Sequence, residues 1–499
     1  MARTSDCGAY RLGFLWQSVD LLVLAVFLLG TQSSFFGPAK YAYLPEQLKD
    51  HELVLANAVV ETATFVAILL GTTIAGAVLS QEAAGSLLYA VCACGLGVAL
   101  AGLVASYRIP CSAGKDPQLK INWNVLSETW RNVQWVSGVN RVWPSLLGIS
   151  WLWFMGATYL TQFPLLTKTV FNATAGVATF LLVLFTVGLG VGAFLCEKWS
   201  RKRIEPGLVV VGLVVIVVAG VLLHLLLQGY TTPLAPTGLQ GFLGSGRNLA
   251  VVAVFVLISM GVGLYSVPLY ASMQVLAPPL KRSRVVAANN IINAFFMVVS
   301  AGLAMGVLVL AQGNVVWVFT MVTAGNLLVL LLWCWLVPHA LLRAGLLLHL
   351  ERSRKPRLER TELLGSEGGM LVVFPQIRAE DILQKIATLP VPVRLVHQDD
   401  LPATPLYSWL KRKGFVSQHI NLTEPDSMKN LLADIVKSAK ANQAVGISHS
   451  VCQLLGKKYR LADLPRLLYQ KGIVLRVVYV EEYQSDGNEL TGPVCRLIQ

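Results

Sequence analysis

The sequence predicts an all-α, polytopic membrane protein with about nine transmembrane helices, followed by a C-terminal α/β domain. Of its 499 residues, 55% are hydrophobic and only 13% are charged, whereas soluble domains carry about 25% charged residues. Long apolar stretches follow one another up to Pro338. After Pro338 the charge density becomes ordinary and the apolar runs shorten to the length of strands.

Nine stretches are long and apolar enough to cross a bilayer, which needs about 20 residues. They lie at approximately 20–38, 53–79, 84–106, 143–166, 173–196, 207–228, 249–275, 286–311 and 315–337. The one long loop between them, 107–142, contains Trp123, Trp130 and Trp135 among polar residues, which is typical of an amphipathic helix at a membrane interface. The predicted organisation is therefore an N-terminal segment 1–19, a transmembrane domain 20–338, a linker 339–365 and a tail 366–499.

The charges of the loops predict the orientation in the membrane. The loop after the first span and every second loop after it, here called the side-one loops, hold 14 Lys and Arg residues, whereas the opposite loops hold only Lys168 and Arg247. Because cytoplasmic loops are enriched in Lys and Arg, side one is predicted to be cytoplasmic. An odd number of spans then puts the tail in the cytoplasm and the N-terminus outside.

Composition and motifs exclude several functional classes. The 8 Cys residues show neither metal-type spacing nor a disulfide framework, and no cofactor is predicted. The motif G-x-x-x-x-G-K-[ST] is absent from the sequence, so we expect no nucleotide-driven transport. The net charge of +13 is explained by an anionic membrane surface, so we predict no nucleic-acid partner.

The stretch FFGPAKYAYLPEQL at 35–48 is predicted to end the first membrane helix, because the Gly-Pro pair at 37–38 interrupts helices. Lys40 and Tyr41 would then anchor this end at the cytoplasmic interface. The next span carries Glu61 about 12 Å from its predicted start. A carboxylate at that depth must face a cavity or a partner, and Lys40 is the candidate partner.

Three irregular motifs resemble the LplT-type lysophospholipid transporters of the major facilitator superfamily. They are GPAKY and LP at 37–45, LANAVVE and AILLGTTIAG at 55–76, and QVLAP, KRSR and AANNIIN at 274–293. The resemblance covers roughly residues 20–338 and implies a major facilitator-like fold, which has two six-helix halves. The first motif belongs to the fourth helix of that family but stands in the first helix here. Three helices are therefore expected to be missing from the front.

The polar residues of the spans and the resemblance together predict a substrate path. Its candidate residues are Lys40, Tyr41, Asn57, Glu61, Gln162, Gln274, Asn289, Asn290 and Asn293, with Thr62, Thr64 and Tyr265 as further polar positions. A lysophospholipid offers a phosphate for a cation and an acyl chain for an apolar wall. The alternative for any single Asn, Gln or Thr is an interhelical hydrogen bond that holds the bundle together. Five glycines are expected to be close-packing or bending points, namely Gly71, Gly76, Gly188, Gly190 and Gly192.

The tail alternates predicted strands and helices. Strands are predicted at 370–374, 391–397, 415–422, 444–448 and 473–480, and helices at 379–389, 405–413, 427–442 and 461–470. This alternation predicts an α/β domain with a largely parallel sheet.

The order of these elements resembles the PlsC-type glycerophospholipid acyltransferases, in which a His acts as general base and an Asp five residues later orients it. At the corresponding place this sequence has Pro375 and Glu380, and none of its 7 His residues has an Asp five positions later. The tail is therefore predicted to be a degenerate, non-catalytic module that binds lipid or a partner, and the chain is not expected to be an enzyme.

The preferred hypothesis is a multi-pass transporter of the inner (cytoplasmic) membrane that moves lysophospholipids by facilitated transport. Its expected partners are phospholipids, lysophospholipids, the membrane, and an acyltransferase or acyl-ACP synthetase. One alternative is a membrane-bound acyltransferase that uses acyl-CoA or acyl-carrier protein. The other is a transport-incompetent relic or scaffold, because three helices are expected to be missing.

Overall fold

The fold is taken from a computed structural model of the chain. The structure describes residues 19–48, 50–79, 84–110, 124–138, 142–200, 204–278, 281–349, 357–359, 369–378, 382–388, 393–396, 404–416, 425–440, 444–453, 465, 475–483 and 494–498. Two compact units result. Unit 1 comprises Met1–Cys196, Gly212–Gln274 and Leu280–Leu328, and unit 2 comprises Glu197–Val211, Val275–Pro279 and Val329–Gln499.

The described part of the chain before residue 350 is helical. Its helices are α1 (Val19–Gln47), α2 (Asp50–Leu79), α3 (Ala84–Ser106), α4 (Val125–Ser137), α5 (Trp143–Thr169), α6 (Ala175–Ser200), α7 (Gly207–Leu227), α8 (Leu239–Leu243), α9 (Gly246–Leu276), α10 (Arg282–Leu310), α11 (Val316–Leu336) and α12 (Pro338–His349). In unit 1, α10 packs along α5 and also contacts α1 and α4.

Five of these helices, α6, α7, α9, α10 and α11, are long and apolar enough to cross a membrane, as judged on the described residues. Shorter apolar segments lie in α1, α2 and α3. The prediction of a polytopic, mostly helical membrane protein is therefore confirmed. Each of the nine predicted stretches lies in a helix to within two residues at its ends, but the count of nine spans stays a prediction.

The predicted end of the first helix near residue 38 is wrong. α1 continues through the Gly-Pro pair to Gln47. Gly37 serves the packing of this helix, because a Cβ there would come within 2.6 Å of the side-chain nitrogen of Asn290 on α10. A proline inside a membrane helix is tolerated where neighbouring groups bond to the backbone groups that it leaves free. Gly37 therefore marks a helix contact, and the pair at 37–38 does not end the helix.

The prediction of close packing is confirmed for the glycines of α6. A Cβ on Gly192 would overlap the backbone carbonyl of Met260 on α9, and one on Gly188 would lie 3.0 Å from the carbonyl oxygen of Val256. A Cβ on Gly190 would lie 3.2 Å from the methyl carbon of Thr62 on α2. Small residues allow the backbones of membrane helices to approach closely, which increases their dispersion contacts.

Two of the five glycines do not add to that pattern. A Cβ on Gly71 would meet no heavy atom within 4 Å in the described part of the chain, so the prediction of a close-packing or bending point stays a prediction for this position. The surroundings of Gly76 lie outside the described residues.

The tail contains a six-stranded sheet with the order β1-β6-β5-β2-β4-β3. Its strands are β1 (Arg357–Glu359), β2 (Gly369–Phe374), β3 (Val393–Leu395), β4 (Ala444–Ser448), β5 (Leu475–Tyr483) and β6 (Val494–Ile498). All the pairs are parallel except β5 with β6, which is antiparallel. The prediction of a largely parallel sheet is therefore confirmed.

Several details of the tail differ from the predicted elements. The sequence analysis missed β1 and β6, which are short and lack a long apolar run. Of the strand predicted at 415–422, residues 417–422 lie outside the described residues, and Val416 pairs with Leu395 in an isolated bridge. The helix predicted at 461–470 lies outside the described residues apart from Pro465.

The remaining helices of the tail cover the sheet. They are α13 (Ile382–Thr388), α14 (Pro405–Arg412) and α15 (Pro425–Lys440). Met370 and Val372 of β2 pack with α13 and α14, whereas Leu371 of the same strand packs with α15. Alternate residues of a strand point to opposite faces, so β2 contributes to two apolar cores. Leu342 of α12 belongs to the first of these cores.

A buried ion pair fixes α12 within unit 2. Glu205 and Arg343 are each 2% exposed, and Arg343 donates from Nη2 to Glu205 Oε2 at 2.7 Å and from Nε to Glu205 Oε1. Gly207 makes room for this contact, since a Cβ there would lie 2.6 Å from the backbone nitrogen of Ala344. Loss of water and the nearby Arg343 guanidinium lower the pKa of His339 to about 3.

Candidate functional site

The candidate residues of the substrate path lie on α1, α2, α5, α9 and α10, all within unit 1. Asn57 and Asn289 each stand seven residues after the first residue of their helix, which corresponds to about 10 Å along the axis. Both helices begin at side-one loops. Gln274 lies two residues before α9 ends at the same side. Three candidates thus belong to a common level near side one.

Asn57 and Gln274 form a reciprocal pair of amides. Asn57 Nδ2 donates to Gln274 Oε1 at 2.9 Å, and Gln274 Nε2 donates to Asn57 Oδ1 at 2.9 Å. Asn57 Nδ2 also donates to the carbonyl of Leu53 at 2.8 Å. Both side chains are buried, with relative exposures of 0% and 2%. The pair joins a helix that precedes the long loop 107–142 to one that follows it.

Asn289 and Asn293 of α10 form a second polar group with α5. In the amide orientation that satisfies its neighbours, Asn293 donates to Ser150 Oγ at 2.8 Å and to the carbonyl of Asn289 at 3.0 Å. Its oxygen accepts from Asn289 Nδ2 at 3.0 Å and from Trp153 Nε1 at 3.2 Å. Trp153 Nε1 also lies 3.0 Å from the hydroxyl of Tyr270 on α9. Among the described residues, the buried Asn289 Oδ1 has no hydrogen-bond partner.

These two groups are here called the polar layer, because they occupy one level of unit 1. Its members are Asn57, Ser150, Trp153, Tyr270, Gln274, Asn289 and Asn293. The sequence analysis missed Ser150, Trp153 and Tyr270. A Ser and a Trp inside an apolar span give only a weak signal, but both stand at helical spacing on the face of α5 that meets α10.

Asn290 and Gln162 do not join the polar layer in the described contacts. Asn290 packs against Gly37 of α1. Gln162 stands 12 residues beyond Ser150 on α5, or about 18 Å further along the helix. Its Nε2 lies 3.4 Å from Thr161 Oγ1, and in the described part of the chain its Oε1 has no partner.

Gln162 borders an aromatic cluster of unit 1. Tyr159, one turn before Gln162 on α5, lies with its ring centroid 5.6 Å from that of Phe185 and 5.5 Å from that of Phe319. Its hydroxyl is buried and has no partner among the described residues. Two buried polar groups thus lie beside an apolar, aromatic wall, which is the chemistry an amphiphilic ligand needs.

The charged part of the predicted path is only partly described. Lys40 lies half-buried on α1. The side chains of Tyr41 and Glu61 lie outside the described residues, although both belong to helices. The pairing of Lys40 with Glu61 therefore stays a prediction.

Two of the further polar positions have structural roles. The Tyr265 hydroxyl donates to the carbonyl of Gly148 at 2.7 Å, and Thr64 Oγ1 donates to the carbonyl of Val60 at 2.7 Å. For Tyr265 the structure supports the alternative of an interhelical hydrogen bond, whereas the bond of Thr64 lies within α2. Thr62 Oγ1 is buried without a partner in the described region.

The strand ends of the tail offer little chemistry in the described residues. Pro375 follows β2 directly, and Glu380 lies outside the described residues. After β4, the hydroxyls of Ser448 and Ser450 lie 2.9 Å apart, and the exposed His449 ring contacts Gln453. No group of three or more His, Cys, Asp or Glu residues that could hold a metal occurs among the residues that the structure describes.

Two comparisons with known proteins both match this chain to transporters. Residues 8–301 match the family model of the Major Facilitator Superfamily. Relatives named lysophospholipid transporter LplT include those of Escherichia coli O6:K15:H31 (strain 536 / UPEC) and Shigella dysenteriae serotype 1 (strain Sd197). Each is 32% identical over 228 residues, which is 43% of this chain and 54% of the relative. The chain thus spans about half the length of the curated relatives that it matches.

Proposed function

We propose, because this chain belongs to the major facilitator superfamily, that it moves lysophospholipids across a membrane by facilitated transport. The family match and the relatives named as lysophospholipid transporters support this class of substrate. The observation that carries the proposal is the polar layer, in which Gln274, bonded to Asn57, stands one turn from Tyr270, and Tyr270 contacts the Trp153 indole that also bonds to Asn293. The motifs that carry the family resemblance therefore meet in three dimensions.

The described polar layer is built from amides, hydroxyls and an indole, all of them uncharged. Such groups can form hydrogen bonds with a phosphate or a glycerol hydroxyl at a low desolvation cost. A charged side chain inside the membrane is much more costly unless it is paired. Asn289 Oδ1 and Gln162 Oε1 are buried acceptors without partners in the described part of the chain. We assign them to successive positions of a lysophospholipid head group along the path, first at Asn289 Oδ1 and then at Gln162 Oε1, and the aromatic cluster to its acyl chain.

Transport by this fold requires the two sides of a central site to open in turn. In this proposal the Asn57–Gln274 pair closes the side-one end of the path, and its two hydrogen bonds break and re-form in each cycle. Lys40 attracts and orients the phosphate from the same side, and Glu61 is its counter-charge. The energy comes from the lipid gradient.

The rest of the proposal concerns location and the tail. We place the protein in the inner (cytoplasmic) membrane with the tail in the cytoplasm, because the Lys and Arg residues concentrate in the side-one loops. The tail is a degenerate acyltransferase-like module that binds lipid or a partner such as an acyltransferase or an acyl-ACP synthetase. Its fold of strands and helices supports this role, and Pro375 at the end of β2 disfavours acid–base catalysis there.

The test of transport is uptake of labelled lysophosphatidylethanolamine into spheroplasts that express the full chain. Asn289→Leu and Gln162→Leu should each lower the initial rate several-fold. Asn248→Leu is the matched control, because Asn248 is equally buried but bonds to Tyr230 near the opposite end of α9. Uptake no higher than in cells without the chain would refute the proposal, and it would favour the relic or scaffold reading.

The enzyme alternative is tested separately with the purified full chain. Incubation with a lysophospholipid and either acyl-CoA or acyl-carrier protein should yield no diacyl product. Formation of product at a rate proportional to the amount of chain would show that the tail is catalytic after all.

A further inference from the structure

The amphipathic helix α4 is attached to the beginning of α10 by several contacts within unit 1. Asn132 is 7% exposed and donates from Nδ2 to the carbonyl of Arg284 at 3.0 Å. Glu128 lies 3.6 Å from the Arg284 guanidinium, and Lys281 Nζ lies 4.6 Å from the centre of the Trp135 ring. Val136 is fully buried. One side of α4 is therefore fixed against its own protein.

The other side of α4 is exposed and has two chemically distinct edges. Leu126 and Trp130 are 84% and 72% exposed, and they stand one turn apart on the same line of the helix. Ser127 and Arg131 are exposed further round the helix. A helix with an apolar edge beside a polar edge is suited to the boundary between head groups and acyl chains.

The charges around α4 specify what kind of boundary it fits. Arg131, Lys281 and Arg284 supply three cations, and Glu128 is the carboxylate that contacts two of them. The arginine side chains are 62% and 39% exposed, so a phosphate from outside can reach them. Trp rings prefer the level of the head groups, and basic residues beside them favour anionic lipids.

We propose that α4 is a membrane-surface element that binds anionic phospholipid. Leu126 and Trp130 enter the acyl boundary, and Arg131 with Lys281 contacts the lipid phosphates. Because α4 is bonded to the first turn of α10, the lipid surface holds the end of the helix that carries Asn289 and Asn293. This assignment does not depend on which molecule the protein transports.

The experiment is photocrosslinking of the full chain in vesicles. p-Benzoylphenylalanine replaces Leu126, Trp130 or Ser127 in separate variants, and Val298, which is 72% exposed on the membrane-capable α10, serves as the reference for insertion. The vesicles contain phosphatidylethanolamine with phosphatidylglycerol, or phosphatidylcholine alone, and a radiolabelled acyl chain reports lipid adducts. We expect several-fold more adduct at 126 and 130 than at 127, and an increase when phosphatidylglycerol is present.

Two outcomes would overturn the proposal. Equal labelling at 126, 130 and 127 would show that α4 does not lie in the boundary. Adducts to a second protein chain in place of lipid would show that the apolar edge is a protein interface. Arg131→Glu in the Trp130-substituted chain should remove the increase caused by phosphatidylglycerol, and an unchanged increase would exclude Arg131 from the lipid contact.

Discussion

Asn57 and Gln274 stand 217 positions apart in the sequence and exchange two hydrogen bonds of 2.9 Å through their side-chain amides. One residue lies on α2 and the other on α9, and both are buried. In an apolar environment each amide needs a partner, because an unpaired polar group loses its hydration without compensation. The pair therefore stabilises the contact between α2, which precedes the long loop in the sequence, and α9, which follows it.

The first prediction concerns the energy of this pair. Asn57→Leu leaves the Gln274 amide without its partner and should lower the melting temperature of the purified protein. The double variant Asn57→Leu/Gln274→Leu should be more stable than the sum of the two single losses predicts. Interhelical hydrogen bonds in membranes contribute about 0.6 kcal/mol on average and up to about 1.7 kcal/mol, so we expect a coupling of about 1–2 kcal/mol.

The measurement is a double-mutant cycle of thermal unfolding in detergent, with uptake measured on the same four proteins. If the pair closes the transport path, both single variants also change the uptake rate. Additive stability effects, with no coupling, would show that the two amides do not depend on each other.

The second prediction uses the close approach of α6 and α9. A Cβ on Gly192 would overlap the carbonyl of Met260. Gly192→Ala should therefore push the two backbones apart and destabilise the protein by about 1–3 kcal/mol, the range found for overpacking. Gly302→Ala on α10 is the matched control, since a Cβ there meets nothing within 4 Å among the described residues.

Thermal unfolding in detergent distinguishes these two variants. We expect a lower melting temperature for Gly192→Ala and an unchanged or higher one for Gly302→Ala, since Ala is the better helix former by about 1 kcal/mol. The same loss in both proteins would mean that the effect comes from the helices in general and not from this crossing.

Sequence reasoning predicted much of this architecture for identifiable reasons. Apolar runs of about 20 residues are a strong signal, because a bilayer demands them. The tail sheet was readable from its short apolar strands. The continuation of α1 through Gly37 was not readable, because it depends on the contact with Asn290, which only tertiary packing provides. β6 was not predicted for a similar reason, because its strand conformation depends on its pairing with β5.

The candidate site was predicted as a set of polar residues but not as an arrangement. Asn57 and Gln274 were both candidates, yet nothing in the sequence pairs a residue at 57 with one at 274. Only the packing of α5 against α10 distinguishes Ser150 and Trp153 from ordinary helix residues. Gln162 was grouped with the others by residue type, although its place on α5 separates it from the polar layer.

The third prediction concerns the Glu205–Arg343 ion pair of unit 2. Both side chains are 2% exposed, and removal of one partner leaves a buried charge, which typically costs about 3–5 kcal/mol. Arg343→Met alone should therefore strongly destabilise the protein, whereas Glu205→Met/Arg343→Met should recover most of the loss. The measurement is thermal unfolding of both variants beside the wild type.

Arg394→Met supplies the control for this pair. Arg394 and Asp434 form an ion pair at 3.6 Å in which the side chains are 37% and 44% exposed. Pairs of this kind contribute about 0–1 kcal/mol, so we expect a small effect. An equally small effect for Arg343→Met would show that water reaches the Glu205 carboxylate.

The last prediction is a pH dependence that arises from His339. Loss of water and the adjacent Arg343 guanidinium lower the pKa of this imidazole to about 3 in the folded protein, compared with about 6.5 in an unfolded chain. The unfolded state therefore binds the proton first as the pH falls. The stabilisation that comes from neutral His339 is complete above pH 6.5 and decreases between about pH 6.5 and 3, by up to about 1.4 kcal/mol per pH unit. His339→Asn should flatten the decrease in melting temperature between pH 8 and 5, whereas the exposed His449→Asn should follow the wild type. Parallel curves for His339→Asn and the wild type would show that the imidazole can take up its proton within the fold.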